Sequence, residues 1–190
     1  MNYRNSFLLF FSFLIILSCK SELPLKKPEP NKNSEKQQTI IRFYVEPSQF
    51  YDDEYGYIGI GYQTKEEIWE KKKKILEKRN SPQEDYKKVQ NAIPKNGIIS
   101  VHIGRKDLMH ANTRFYSFSG YKNNKSIFMI KGKEGIPNIK GRDENWWNIV
   151  EIPLNESIDS VITVLVTDDK INKEFNFTIV CEEVNIITKN

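Results

Sequence analysis

Residues 160–181 read SVITVLVTDDKINKEFNFTIVC. In the second half Phe175, Phe177, Ile179 and Cys181 fall at alternate positions, which makes one face of an extended chain apolar and puts Cys181 on the core side. Asp168-Asp169-Lys170-Ile171-Asn172 interrupts the alternation with residues that reverse a chain. The stretch predicts a β-hairpin over 160–181, with a second strand that can run on to 188.

Working outward, the same period holds back to Ile98. It predicts strands at 98–104, 113–121, 126–131 and 146–152, with a second turn at Lys122-Asn123-Asn124-Lys125. Nearer the start, Ile41, Phe43 and Val45 alternate with Arg42, Tyr44 and Glu46, and 57–62 reads as a strand weakened by Gly59 and Gly61. Short strands at spacings near ten residues, joined by polar turns, imply a mainly β domain with α+β content. The expected architecture is an antiparallel β-sandwich, immunoglobulin-like or similar.

Between 64 and 93 the period changes. Thr64-Lys65-Glu66-Glu67 fits a capping box, with Ile68, Trp69, Ile75 and Leu76 on one helical face and Lys72 among them. Ser81-Pro82-Gln83-Glu84 repeats the start signal; Tyr86, Val89 and Ile93 form the next stripe, and Pro94 to Gly97 end it. An inserted pair of helices is expected to cover one edge or end of the sandwich.

The chain has 190 residues, 38% hydrophobic and 12% aromatic, enough for one domain with a core; two cysteines exclude a disulfide-dense scaffold. At the start, Arg4 precedes an apolar run over 7–17, too short to span a bilayer but of the length that leads a secreted chain. The run ends in Ile16-Leu17-Ser18-Cys19, which resembles the lipobox of bacterial lipoproteins. That resemblance covers residues 1–20 and implies removal of 1–18, acylation of Cys19 and attachment to the cell envelope. Lys20, where an Asp would imply inner-membrane retention, favours the outer membrane.

Residues 20–38 are rich in Pro, Lys, Glu, Asn and Gln and read as a disordered tether. The formal net charge is +4, but Arg4 and the tether carry most of it and leave 39–190 near +1, so nucleic-acid binding is not expected. The expected organisation is a signal peptide over 1–18, a lipidated Cys19 with tether over 19–38, and one domain over 39–190.

No motif names a reaction: G-x-S-x-G, H-E-x-x-H and a Walker-A loop are all absent from the sequence. No cofactor is implied. The four-lysine run Lys71–Lys74 reads as a solvated helix face, since four acids on the same helix offset it. His102, His110 and Cys181 lack the tight spacing of zinc ligands. Asp52, Asp53, Asp168 and Asp169 are acidic pairs in expected loops, weak candidates for a calcium site should the loops converge.

The aromatic excess stands above background. Phe50, Tyr51, Tyr55, Tyr57 and Tyr62 precede the helices, while Trp146 and Trp147, as strand neighbours, must point to opposite faces. One belongs to the core; the other is exposed or lies under the helices. Trp146, Trp147, Tyr55, Tyr57 and Arg142 are therefore the candidate contact residues, of a kind enriched at protein interfaces and in sugar-stacking surfaces. The expected function is a non-enzymatic, lipid-anchored binding module for an envelope protein; the alternatives are carbohydrate binding and a small periplasmic hydrolase.

Overall fold

The computed structural model describes residues 36–188, apart from positions 49 and 138. The leader, the lipobox with Cys19 and most of the expected tether lie outside the described residues. In chain order the elements are β1 (Lys36–Glu46), β2 (Tyr51–Asp53), β3 (Gly56–Gln63), α1 (Lys65–Lys78), α2 (Gln83–Ala92), β4 (Ile98–Arg105), β5 (Tyr116–Lys122), β6 (Lys125–Lys131), β7 (Ile139–Lys140), β8 (Trp146–Pro153), β9 (Ile162–Asp168) and β10 (Lys173–Thr188). They form two five-stranded antiparallel sheets, A in the order β1-β10-β9-β5-β6 and B in the order β2-β3-β4-β8-β7. The protein is an antiparallel β-sandwich with a helix pair inserted between β3 and β4.

Alternation decides what lies between the sheets. Tyr116, Phe118, Val164, Val166, Phe175, Phe177 and Ile179 from sheet A meet Ile58, Ile99, Val101, Ile103 and Ile152 from sheet B, all almost fully buried. The β9–β10 hairpin of the opening stretch is at the centre of sheet A, paired from Lys173↔Asp168 to Ile179↔Ile162. The β5–β6 turn places Asn123 and Asn124 at φ 50° and 62°, the two left-handed positions of a type I′ hairpin, which asparagine tolerates best after glycine.

Four expectations need correction. The strand expected at 113–121 begins at Tyr116, because Thr113–Phe115 form a 3-10 turn capped by the Asn112 side chain. β1 starts at Lys36, inside the expected tether: Lys36 to Gln38 pair with Thr188 to Ile186, and a partner strand supplies the backbone hydrogen bonds that composition alone does not foresee. Ile41 shares a face with Phe43 and Val45 but is 58% exposed. It pairs with Glu183, in the part of β1–β10 that runs past the last β9 partner as a two-stranded ribbon. Ser81 is not a cap: α2 is preceded by Pro82, with no side-chain cap bond.

The first helix starts as expected. Thr64 Oγ1 accepts from the Glu67 amide at 3.2 Å and Glu67 Oε2 accepts from the Thr64 amide at 3.0 Å, an arrangement that contributes about 1 kcal/mol. Ile68 and Leu76 are buried, Ile75 stays exposed, and Trp69 meets Tyr86 of α2 edge to face at 6.4 Å. No described helix is long and apolar enough to cross a membrane.

Candidate functional site

Strand register on sheet B sets rows of side chains on its outer face. One row is Asp52, Tyr57, Gly104, Trp147, Ile139, and the next is Gly59, His102, Ile149. Two further rows, Ser100 with Glu151 and Gln63 with Ile98 and Pro153, lie beneath the helices. The helix pair therefore covers one half of this face and leaves the half around Trp147 open.

Glycine makes the open half flat. At Gly104 a Cβ would stand 2.7–2.9 Å from three atoms of the Trp147 indole, and at Gly59 one would stand 2.2 Å from the Phe50 ring. Each ring thus sits directly on backbone. Trp147 Nε1 donates to Asp143 Oδ1 at 3.1 Å, which fixes the indole. The Tyr57 ring lies parallel to it, 1° off, with centroids 6.3 Å apart. Phe50 meets Trp147 edge-on at 5.8 Å and His102 at 6.1 Å. Phe50, Ile139 and Ile149 are about half exposed or more.

Asp143 belongs to the turn between β7 and β8, in which Glu144 has φ 67° and its amide donates to the Gly141 carbonyl at 3.1 Å. Hydrogen bonds from Asn145 and then Trp147 hold the Asp143 carboxyl below the usual range. Arg142 is exposed in the same turn. Trp146 takes the opposite register, in line with the core residues Val150 and Ile152, and pairs with Arg105. Tyr55 lies apart from the Trp147 group, in the turn before β3, its ring tilted against His110 at 5.3 Å.

Burial lowers the pKa of His102 below the ordinary imidazole value. Its Nε2 lies 3.2 Å from Ser100 Oγ, which is also 3.4 Å from the Gly61 carbonyl. Among the described residues no carboxylate bonds to His102, so the pair lacks the group that orients the base in a hydrolytic triad. Burial raises the Cys181 thiol.

The four acids do not converge on a cation site. Asp52 faces outward beside Tyr57, and Asp169 is exposed and paired with Lys131. Asp53 and Asp168 do meet, but around Arg105, whose Nη1 donates to Asp53 Oδ1 at 2.9 Å and Nη2 to Asp168 Oδ2 at 3.0 Å. A guanidinium, fully buried, stands where a calcium ion would have to sit. No group of three metal-ligating side chains occurs among the described residues. Arg105, Gly104 and Asp143 escaped the sequence reading, although the alternation of Ile99, Val101 and Ile103 extends to Arg105 and puts it inward.

No family model, no curated protein and no solved structure matches the chain.

Proposed function

We propose that this chain is a non-enzymatic binding module, held at a bacterial cell envelope by acyl chains on Cys19, that engages an envelope protein through the open half of sheet B. The observation that supports it is the Trp147 indole, seated on Gly104, tied to Asp143 and parallel to Tyr57. Aromatic side chains already fixed in place lose little entropy on binding and can carry most of the energy of an interface. Exposed Ile139 and Ile149 extend the apolar contact, and Asp52, Asp143 and Arg142 supply a polar rim. Gly104→Ala is the sharpest test, because the nearest atoms its new Cβ would meet all belong to the Trp147 indole. Capture of one specific partner from membrane extracts is expected to fall at least tenfold for Gly104→Ala and Trp147→Ala, with unfolding midpoints near wild type. Equal capture by all three proteins would overturn the assignment.

The parallel Tyr57 and Trp147 rings also favour a second reading, carbohydrate binding, in which the C–H face of a pyranose lies on the rings and the rim side chains read hydroxyls. Titration with envelope polysaccharides should then shift tryptophan emission in the wild type and not in Trp147→Ala. The anchor has its own test: cells fed an alkyne fatty acid are expected to label the wild-type chain and leave Cys19→Ala unlabelled. Label retained in that variant would remove Cys19 from the proposal.

A further inference from the structure

The helix pair does not sit tightly on sheet B. A cavity of about 470 Å³ separates it from the sheet, walled by Ile68, Val89, Ala92, Ile93, Ile98 and Pro153, with Lys71 and Lys72 on its helical side and Glu151 on its strand side. A groove of about 280 Å³ between the helices adjoins it, sharing Lys72 and Val89 and adding Arg79. Of the apolar stripe that α2 begins, Val89 and Ile93 line the cavity, while Tyr86 packs against Trp69 of α1.

From this we infer that the cavity is a binding site for a fatty acid, a single acyl chain ending in a carboxylate. The volume lies within the range of small-ligand sites, and the walls are mostly aliphatic, with Gln63 and Ser100 beside Glu151 on the strand side and none of the aromatic planes a ring system would use. The charge is complementary. Residues 64–95 carry ten basic and six acidic side chains, whereas the rest of 39–190 is net negative. Lys71, Lys72 and Arg79 are in no ion pair of the described residues. Glu151 on the opposite wall repels an anion, so the carboxylate is directed toward α1 and the chain runs along Val89 and Ile93. This site is separate from the Trp147 surface and does not depend on it.

The test uses membranes that contain the full chain, treated with a long-chain carboxylate bearing a photoreactive diazirine. Crosslinks are expected in peptides of α1 and α2, competed by dodecanoate. Octanoate should be on the order of a hundredfold weaker as a competitor, because four methylenes are lost from apolar contact. Dodecanol, with the same chain and no charge, should compete roughly tenfold less well than dodecanoate, and Lys71→Gln with Lys72→Gln should raise the dodecanoate needed to halve labelling by a similar factor. Both lysines are exposed, so that variant keeps its fold. Ala92→Trp, which fills the cavity, should abolish the label. Crosslinks scattered over the domain, competition by dodecanol equal to that by dodecanoate, or labelling indifferent to the lysine pair would each overturn the inference.

Discussion

Arg105→Leu is expected to cost about 3–5 kcal/mol of folding stability, measured as a fall in the urea midpoint at unchanged slope. The guanidinium is fully buried and each of its three nitrogens donates once: Nη1 to Asp53, Nη2 to Asp168 and Nε to the Tyr116 hydroxyl at 2.9 Å. That hydroxyl in turn donates to the His110 carbonyl at 2.7 Å, and the Phe175 ring packs against the guanidinium at 5.5 Å. Leucine would fill part of the volume but leave Asp168 buried without a cation, which is the expensive half of breaking such a pair. Arg105→Lys should recover only part of the loss, since one ammonium cannot reproduce a planar fork over three acceptors. A midpoint for Arg105→Leu within about 1 kcal/mol of wild type would show that the acids tolerate burial without it.

The same cluster sets a pH dependence. Burial pushes the Asp53 carboxyl up, but the Lys173 hydrogen bond at 3.0 Å, the Arg105 charge and the Tyr55 amide together hold it below the ordinary carboxylate range. A group depressed in the folded state contributes stability above its unfolded pKa, about 3.9, and loses it as pH falls through the folded value. The stability gap between wild type and Arg105→Leu should therefore be widest near neutrality and narrow below about pH 4.

Gly56→Ala is expected to be nearly as costly, about 3 kcal/mol or more, for two independent reasons. Gly56 has φ +129°, a conformation L side chains rarely adopt, and its Cβ would stand 2.3 Å from the Gly104 carbonyl oxygen and 3.0 Å from Arg105 Cα. Strain and overpacking each cost on the order of 1–3 kcal/mol, and a backbone atom cannot swing aside as a side chain does. A loss below about 1 kcal/mol would mean that the β2–β3 turn opens without moving β4.

Much of the fold was legible because it is carried by period and by caps. The alternation of Phe175, Phe177 and Ile179 and the Thr64–Glu67 box each specify local structure without help from distant residues. The short strands were not legible, since Tyr51–Asp53 and Ile139–Lys140 are too brief to show a period and exist only through their partners. Parity separated Trp146 from Trp147, but the choice of which one faces the core depends on register with β4. The flat surface at Gly104 needed three strands side by side, Tyr57, Gly104 and Trp147, which lie far apart in the chain. Arg105 shows a different limit: composition treats arginine as a surface residue, and only its paired acids, from β2 and β9, reveal why it can be buried.

The ribbon formed by β1 and β10 has a mechanical meaning. β1 enters the body from the ribbon's free end, so a pull on Lys36 directed away from the domain runs along the strand axis. All the rungs from Lys36↔Thr188 to Glu46↔Thr178 then resist that pull together, in shear, instead of parting one at a time as in a zipper. A module tethered ahead of β1 would withstand drag from its surroundings at the strand best placed to carry the load.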